Sequence, residues 1–220
     1  MVKKIKIYCD GANVQEMEKV YNLVNGYTTN PTLLRKAGVT DYKEFARIAI
    51  DHLPGKPISF EVFSDDFDEM ERQARLISSW GKNVYVKIPI TNTNGESSEF
   101  LIQRLSKSGI KINVTAVFTR QQVRNVCTVL TGAPAIVSIF AGRIADTGVD
   151  PMWLCSQAKA MLTMNVEVLW ASTRELLNIK QAEEAGCDII TVTPDILKKM
   201  DLFGKDLAQY SLETVQQFYT

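Results

Sequence analysis

Val84-Tyr85-Val86-Lys87-Ile88-Pro89-Ile90 puts four branched aliphatic residues on one parity and a tyrosine, a lysine and a proline on the other. Successive side chains of a strand point to opposite faces. The stretch therefore reads as a strand with one face built for packing and a second face that carries an amine. Seven further runs share its short, β-branched character: Ile5–Asp10, Tyr27–Asn30, Pro57–Phe63, Lys111–Phe118, Ala135–Gly142, Val166–Ser172 and Asp188–Thr193. Helix signals lie between them. Asn13 can cap a helix with the stripe Met17, Val20, Tyr21 and Val24. Thr119 and Gln122 form a capping box ahead of Val123, Val126, Cys127 and Leu130. Asp150-Pro151 places a cap before a proline at the first helical position, ahead of Leu154, Ala158, Met161 and Leu162.

No linker or low-complexity segment breaks this alternation, so residues 1–220 read as one domain. Alternating strands and helices imply a parallel sheet, open or closed. Eight strand candidates, each followed by a helix candidate, favour an α/β fold of the (β/α)8 TIM-barrel type. That fold usually takes ~250 residues, so at 220 residues the loops must be short. Neither GxGxxG nor GxxxxGK[ST] occurs, and a nucleotide cofactor has no support.

Composition narrows the function. The chain has 25 Lys+Arg against 25 Asp+Glu, a formal net charge of zero, which argues against a nucleic-acid partner. No apolar run approaches the ~18 residues that would suggest a membrane span. Met1-Val2-Lys3-Lys4-Ile5 passes straight into a strand pattern without the apolar core of a signal peptide, so the expected location is cytoplasmic. The single histidine, His52, stands at a helix end before Leu53-Pro54-Gly55, where it reads as a solvated residue. Ser-His-Asp and Cys-His chemistry are disfavoured, and no metal site built on histidines can form. Cys9, Cys127, Cys155 and Cys187 are scattered without a CxxC pair and read as reduced, mostly buried thiols. Chemistry here must rest on Lys, Asp, Glu, Asn, Ser, Thr, Tyr or Arg.

Strand parity locates those groups. In the first strand Ile5, Ile7 and Cys9 oppose Lys6, Tyr8 and Asp10; in the third, Ile58, Phe60 and Val62 oppose Ser59, Glu61 and Phe63. In the fifth, Ile112, Val114 and Ala116 oppose Asn113, Thr115 and Val117. With the apolar parity against the helices, Asp10, Glu61, Lys87, Asn113 and Thr115 point into the barrel. Strands buried on both faces should be almost wholly apolar, and unpaired polar groups there are costly. Their convergence near the C-terminal mouth describes an active site in this fold. Lys87 admits two readings. It can be a structural ion-pair partner of Glu61 or Asp10, or an amine nucleophile that condenses with a carbonyl. With no histidine nearby, proton transfer would fall to Asp10 and Glu61.

Five strings complete the pattern: Thr28-Thr29-Asn30-Pro31, Val86-Lys87-Ile88-Pro89, Asn113-Val114-Thr115, Ser138-Ile139-Phe140-Ala141-Gly142-Arg143-Ile144 and Ala171-Ser172-Thr173-Arg174. In this order they resemble the transaldolase family, particularly its short subfamily that includes fructose-6-phosphate aldolases. The resemblance runs through essentially the whole chain. It implies that Lys87 is the Schiff-base lysine, Asp10 the proton-handling carboxylate, and Glu61 with Thr115 the pair that orders a catalytic water. It further implies that Asn30 and Asn113 hold hydroxyls of the donor's dihydroxyacetone part, and that Thr28 and Ser138 line the same pocket. Arg143, Ser172 and Arg174 match the site for the sugar's terminal phosphate, where guanidinium forks suit phosphate oxygens. Two positions depart from the family pattern. Ile139 stands where proline is common, and Gly11 follows Asp10 where threonine is usual.

The implied reaction is transfer of a dihydroxyacetone unit from a ketose phosphate to an aldose phosphate, with no metal and no organic cofactor. Two other readings stay open: an aldolase that releases free dihydroxyacetone, and a silent sugar-phosphate-binding protein. Phe140 favours transfer, because the related direct aldolases carry a tyrosine there. Leu202–Thr220 reads as an additional C-terminal helix with Leu207, Tyr210, Leu212, Val215 and Phe218. It could cover the barrel's own core; in the short transaldolases such a tail reaches neighbouring subunits, which implies a homo-oligomer, a pentamer or decamer.

Overall fold

A computed structural model describes residues 5–219; the reading of Met1–Lys4 as the lead into the first strand lies outside them. The elements in chain order are β1 (Lys6–Asp10), α1 (Val14–Lys19), β2 (Gly26–Thr28), α2 (Pro31–Lys36), α3 (Tyr42–His52), β3 (Ile58–Glu61), α4 (Phe67–Ser78), β4 (Val84–Pro89), α5 (Glu99–Lys107), β5 (Ile112–Val117), α6 (Arg120–Val129), β6 (Ala135–Ile139), α7 (Ala141–Ala145), α8 (Met152–Met161), β7 (Val166–Trp170), α9 (Leu177–Glu184), β8 (Ile189–Val192), α10 (Pro194–Leu197) and α11 (Leu207–Gln217). The eight strands are parallel, pair in sequence order and close through β1 and β8 into a (β/α)8 barrel. None of the helices among the described residues is long and apolar enough to cross a membrane.

Two apolar layers hold the barrel. The outward parity, including Cys9, Phe60, Val86, Ile88, Ile112, Val114, Val168 and Trp170, packs beneath the helices. Tyr8, Ile136, Leu169 and Ile189 fill the inside, with Tyr85 and Phe140 against them. Gly26 makes room for this filling: a Cβ there would lie 2.6 Å from the Tyr8 ring, its register partner across β1 and β2. Lys6 and Glu167 close the lower end with an ion pair of 2.7 Å.

The parity reading fails beyond the end of β3, where Phe63 is exposed and packs against Tyr42 of α3, and at the end of β5, where Ala116 reaches the cavity wall. Val117, expected inside, packs in the outer layer. The cause is Ala116, whose φ of 58° accompanies a register shift between Val114 and Val117. One left-handed residue turns the strand's faces over. Several ends also move. The run through Gly142 stops at Ile139 because α7 begins at Ala141, and Asn30 leaves its strand to cap α2, accepting from Leu33 N at 3.0 Å. Asn13 caps α1 as expected, but the helix ends at Lys19 and Val24 is already extended, two residues before β2. The Thr119–Gln122 capping box is present. At Asp150-Pro151 the helix starts one residue later, at Met152, whose N–H bonds Asp150 Oδ1 at 2.9 Å. The C-terminal helix α11 buries none of its residues, so it does not cover the barrel core. His52 ends α3, exposed, and all four cysteines are free thiols.

Candidate active site

Register brings the polar inward residues together at the C-terminal mouth. Glu61 pairs with Lys87, Lys87 with Asn113, Pro89 with Thr115, and Asp10 with Thr28. They surround a cavity of ≈ 460 Å³. Asp10, Thr28, Asn30, Glu61, Lys87, Thr115, Ser138, Phe140, Arg143, Ser172 and Arg174 all line it. Asn113 alone of the expected set lies one layer down, where its Nδ2 donates to Ser59 Oγ at 3.1 Å and its Oδ1 accepts from Ser138 Oγ at 2.7 Å.

Lys87 is 6% exposed, so its ammonium must be satisfied by the protein. Nζ lies 3.0 Å from Glu61 Oε2 and donates to the Thr29 carbonyl at 2.8 Å. Asp10, on β1, lines the same cavity. Its Oδ1 accepts from Thr28 Oγ1 at 2.7 Å and its Oδ2 from Asn30 Nδ2 at 3.4 Å. Desolvation lifts the Asp10 carboxyl above the usual carboxylate range; the Lys87 charge and the Thr28 proton pull it back, and the Glu61 charge pushes it up. The Thr115 hydroxyl is buried and makes no hydrogen bond within the described protein, which leaves it free for a group in the cavity.

The rim is held by α7 and the segment after β7. Phe140 packs against Phe118, ring centroids 5.5 Å apart, and the Arg143 guanidinium sits 5.3 Å from the Phe140 ring centroid. Arg174 is not free: Nε and Nη2 bind Asp146, the shortest contact being 2.5 Å. Asp146 is a neighbour that sequence reading missed. Ser172 has a φ of 65°, and with Ala116 it makes the pair of left-handed non-glycine residues among those described, both on the cavity wall. Gly142 lets this backbone pass, since a Cβ there would lie 1.6 Å from the Ser172 carbonyl oxygen. Gly142→Ala should cost about 3 kcal/mol and lower Tm by roughly 6–12 °C. A thermal melt with an unchanged Tm would contradict this packing.

The sequence matches the family described as Transaldolase/Fructose-6-phosphate aldolase over residues 7–220. The chain belongs to that family. A relative from Dehalococcoides mccartyi, named "Probable transaldolase", is 38% identical over 201 residues, covering 89% of this chain and 90% of its own. A protein of the same name from Methanococcus maripaludis is 34% identical over 214 residues, 95% and 94% of the two chains. Among solved structures, the 3-hexulose-6-phosphate synthase of Salmonella typhimurium superposes with a TM-score of 0.65 at 15% identity, covering 90% of this chain and 92% of that one. At that identity the likeness shows the shared barrel alone. Membership makes this transaldolase-family chain an aldolase-type enzyme.

Two contributors to the site escaped the sequence reading besides Asp146. The Thr29 carbonyl is main chain and leaves no trace in residue type. Thr191 did leave one: in Ile189-Ile190-Thr191-Val192 the apolar Ile190 and Val192 face the helices, so Thr191 faces in. Its hydroxyl lies 2.6 Å from that of Thr28.

Proposed function

We propose that this protein transfers a dihydroxyacetone unit between sugar phosphates through a Schiff base on Lys87. The observation that carries the reading is a lysine buried mid-strand on the wall of a cavity that two carboxylates share, Glu61 at 3.0 Å from its amine and Asp10. An amine must be neutral to attack, and Glu61 is the nearest group to take its proton. Nζ then adds to the ketose carbonyl, and loss of water gives the iminium. Glu61 and the unpartnered Thr115 hydroxyl serve the water that leaves and later returns. Asp10 accepts the proton of the C4 hydroxyl as the C3–C4 bond breaks, and returns it when the acceptor aldehyde binds. Asn30, Thr28 and Ser138 hold the dihydroxyacetone hydroxyls, and Asn113 acts from one layer down by fixing the Ser138 hydroxyl.

Arg143, Ser172 and Arg174 form the proposed phosphate subsite. Charge-assisted bonds of this kind make Arg143→Ala and Arg174→Ala raise KM for phosphorylated donors on the order of tenfold or more, with KM for free dihydroxyacetone nearly unchanged. Equal losses for both substrates would contradict the assignment. The chain is further proposed to act in the cytoplasm as a homo-oligomer, a pentamer or decamer. The exposed apolar Leu207 and Leu212 of α11, with Phe218 just past its end, support association.

Phe140 separates transfer from simple cleavage. Its phenyl ring lines the cavity and offers no hydroxyl to position water or protonate the enamine carbon. The enamine should wait for an acceptor aldehyde. The test is free dihydroxyacetone formed from fructose 6-phosphate without acceptor, against transfer with one. Wild type should release little, and Phe140→Tyr should release more, by up to about 10²-fold. Release by wild type at the rate of transfer would establish the aldolase reading instead.

A further inference from the structure

We propose that Thr191 is a positioning residue for this reaction: its hydroxyl donates to Thr28 and thereby commits the Thr28 proton to Asp10. A threonine hydroxyl has one proton to give. Thr28 gives it to Asp10 Oδ1 at 2.7 Å. The 2.6 Å contact between the Thr28 and Thr191 hydroxyls can then be a hydrogen bond only with Thr191 as donor. Both threonines are buried. The chain Thr191 to Thr28 to Asp10 is complete when Asp10 is ionised. When Asp10 holds a proton on Oδ1, both bonds can reverse together, the carboxyl donating to Thr28 and Thr28 to Thr191. Asn30 cannot reverse with them, since its Oδ1 is committed to Leu33 N and its Nδ2 to Asp10.

Thr191 is itself fixed. Its carbonyl accepts from Thr173 Oγ1 at 2.7 Å, and β8 is paired to β1 at Tyr8. The charged groups facing Asp10 are Lys87 on β4 and Glu61 on β3. β2 presents a hydroxyl and, just beyond its end, the Asn30 amide; β8 presents only the Thr191 hydroxyl. Cys9 on β1 faces the outer layer. The two-hydroxyl chain is therefore the one part of Asp10's surroundings that follows the proton without carrying charge. Ionic hydrogen bonds lose more than neutral ones when a polarising donor is removed, so deleting the Thr191 hydroxyl should favour protonated Asp10.

This inference rests on the role proposed for Asp10, but its primary test does not. The Asp10 carboxyl carbon is titrated by NMR in protein labelled at aspartate, with Asp10→Asn assigning the signal. Thr191→Val, nearly isosteric, should raise the titration midpoint by about half a pH unit, a roughly threefold change in the ratio of the two forms. Thr191→Ala removes the same hydroxyl with less demand on packing and should do likewise, while Thr191→Ser should titrate as wild type. The acidic limb of kcat should move with the midpoint. Unchanged midpoints in both Val and Ala variants, or a Ser variant shifted as far as they are, would overturn the proposal. Full activity in Asp10→Asn would instead overturn the catalytic role of Asp10 and leave the titration result standing.

Discussion

Lys87→Ala should lose turnover of ketose phosphates by on the order of 10⁴-fold or more, because among the described residues no other lysine lines the cavity to take up the proposed Schiff-base role. Lys87→Met keeps the length and apolar volume of the stem and should be just as inactive. The pair separates chemistry from packing. In either variant Glu61 loses its 3.0 Å partner and the Thr29 carbonyl its 2.8 Å donor. Removing one member of a buried ion pair is destabilising, so the variants should melt earlier than wild type yet remain folded and bind the donor. Steady-state rates with a binding isotherm make the measurement. Retained turnover in Lys87→Met would mean that the lysine is the structural ion-pair partner that its burial alone also allows.

Asp10→Asn should lower kcat by about 10²–10⁴-fold, the range of a positioned acid–base group, with a smaller effect on KM. Two pH readouts accompany it. The Asp10 carboxyl must be ionised to accept a proton, and desolvation holds its pKa above the usual carboxylate range. The acidic limb of kcat in wild type should therefore lie above that range, and Asp10→Asn should lose it. For stability the sign runs the other way from a salt-bridged aspartate. A folded-state pKa above the unfolded one means that the native state holds the proton more tightly, so stability falls as pH rises from the unfolded value through the folded one. Above that window wild type carries the full penalty and Asp10→Asn does not. The variant should be the more stable protein near pH 7, with the difference shrinking as pH falls below the ordinary carboxylate range. A wild type that gains stability from Asp10 as pH rises would contradict the desolvated carboxylate.

Parity makes most of this site legible in the sequence, because a polar residue in a strand buried on both faces has so few places to go. Asp10, Glu61, Lys87 and Thr115 line the cavity for that reason. Thr191 obeys the same rule in the eighth strand, between the outward Ile190 and Val192. What strand periodicity cannot carry is a break in the period. Ala116 takes a left-handed φ and turns Val117 outward, and no residue type announces that in an alanine. Main-chain partners such as the Thr29 carbonyl are equally silent. Arg174 illustrates a third limit, since its pairing with Asp146 joins two segments 28 residues apart and depends on how the β7 exit lies against α7. The burial of α11 was also beyond reach of its pattern: an apolar stripe gives the face that wants a partner, not whether the same chain supplies it.

Borohydride reduction in the presence of fructose 6-phosphate, followed by peptide mass analysis, tests the Lys87 assignment most directly. The reduced adduct of the dihydroxyacetone unit or of the whole ketose should appear on the peptide containing Lys87, and Lys87→Met should stay unlabelled. Labelling at another lysine, labelling that persists in Lys87→Met, or a turning-over wild type that never traps would contradict a Schiff base on Lys87.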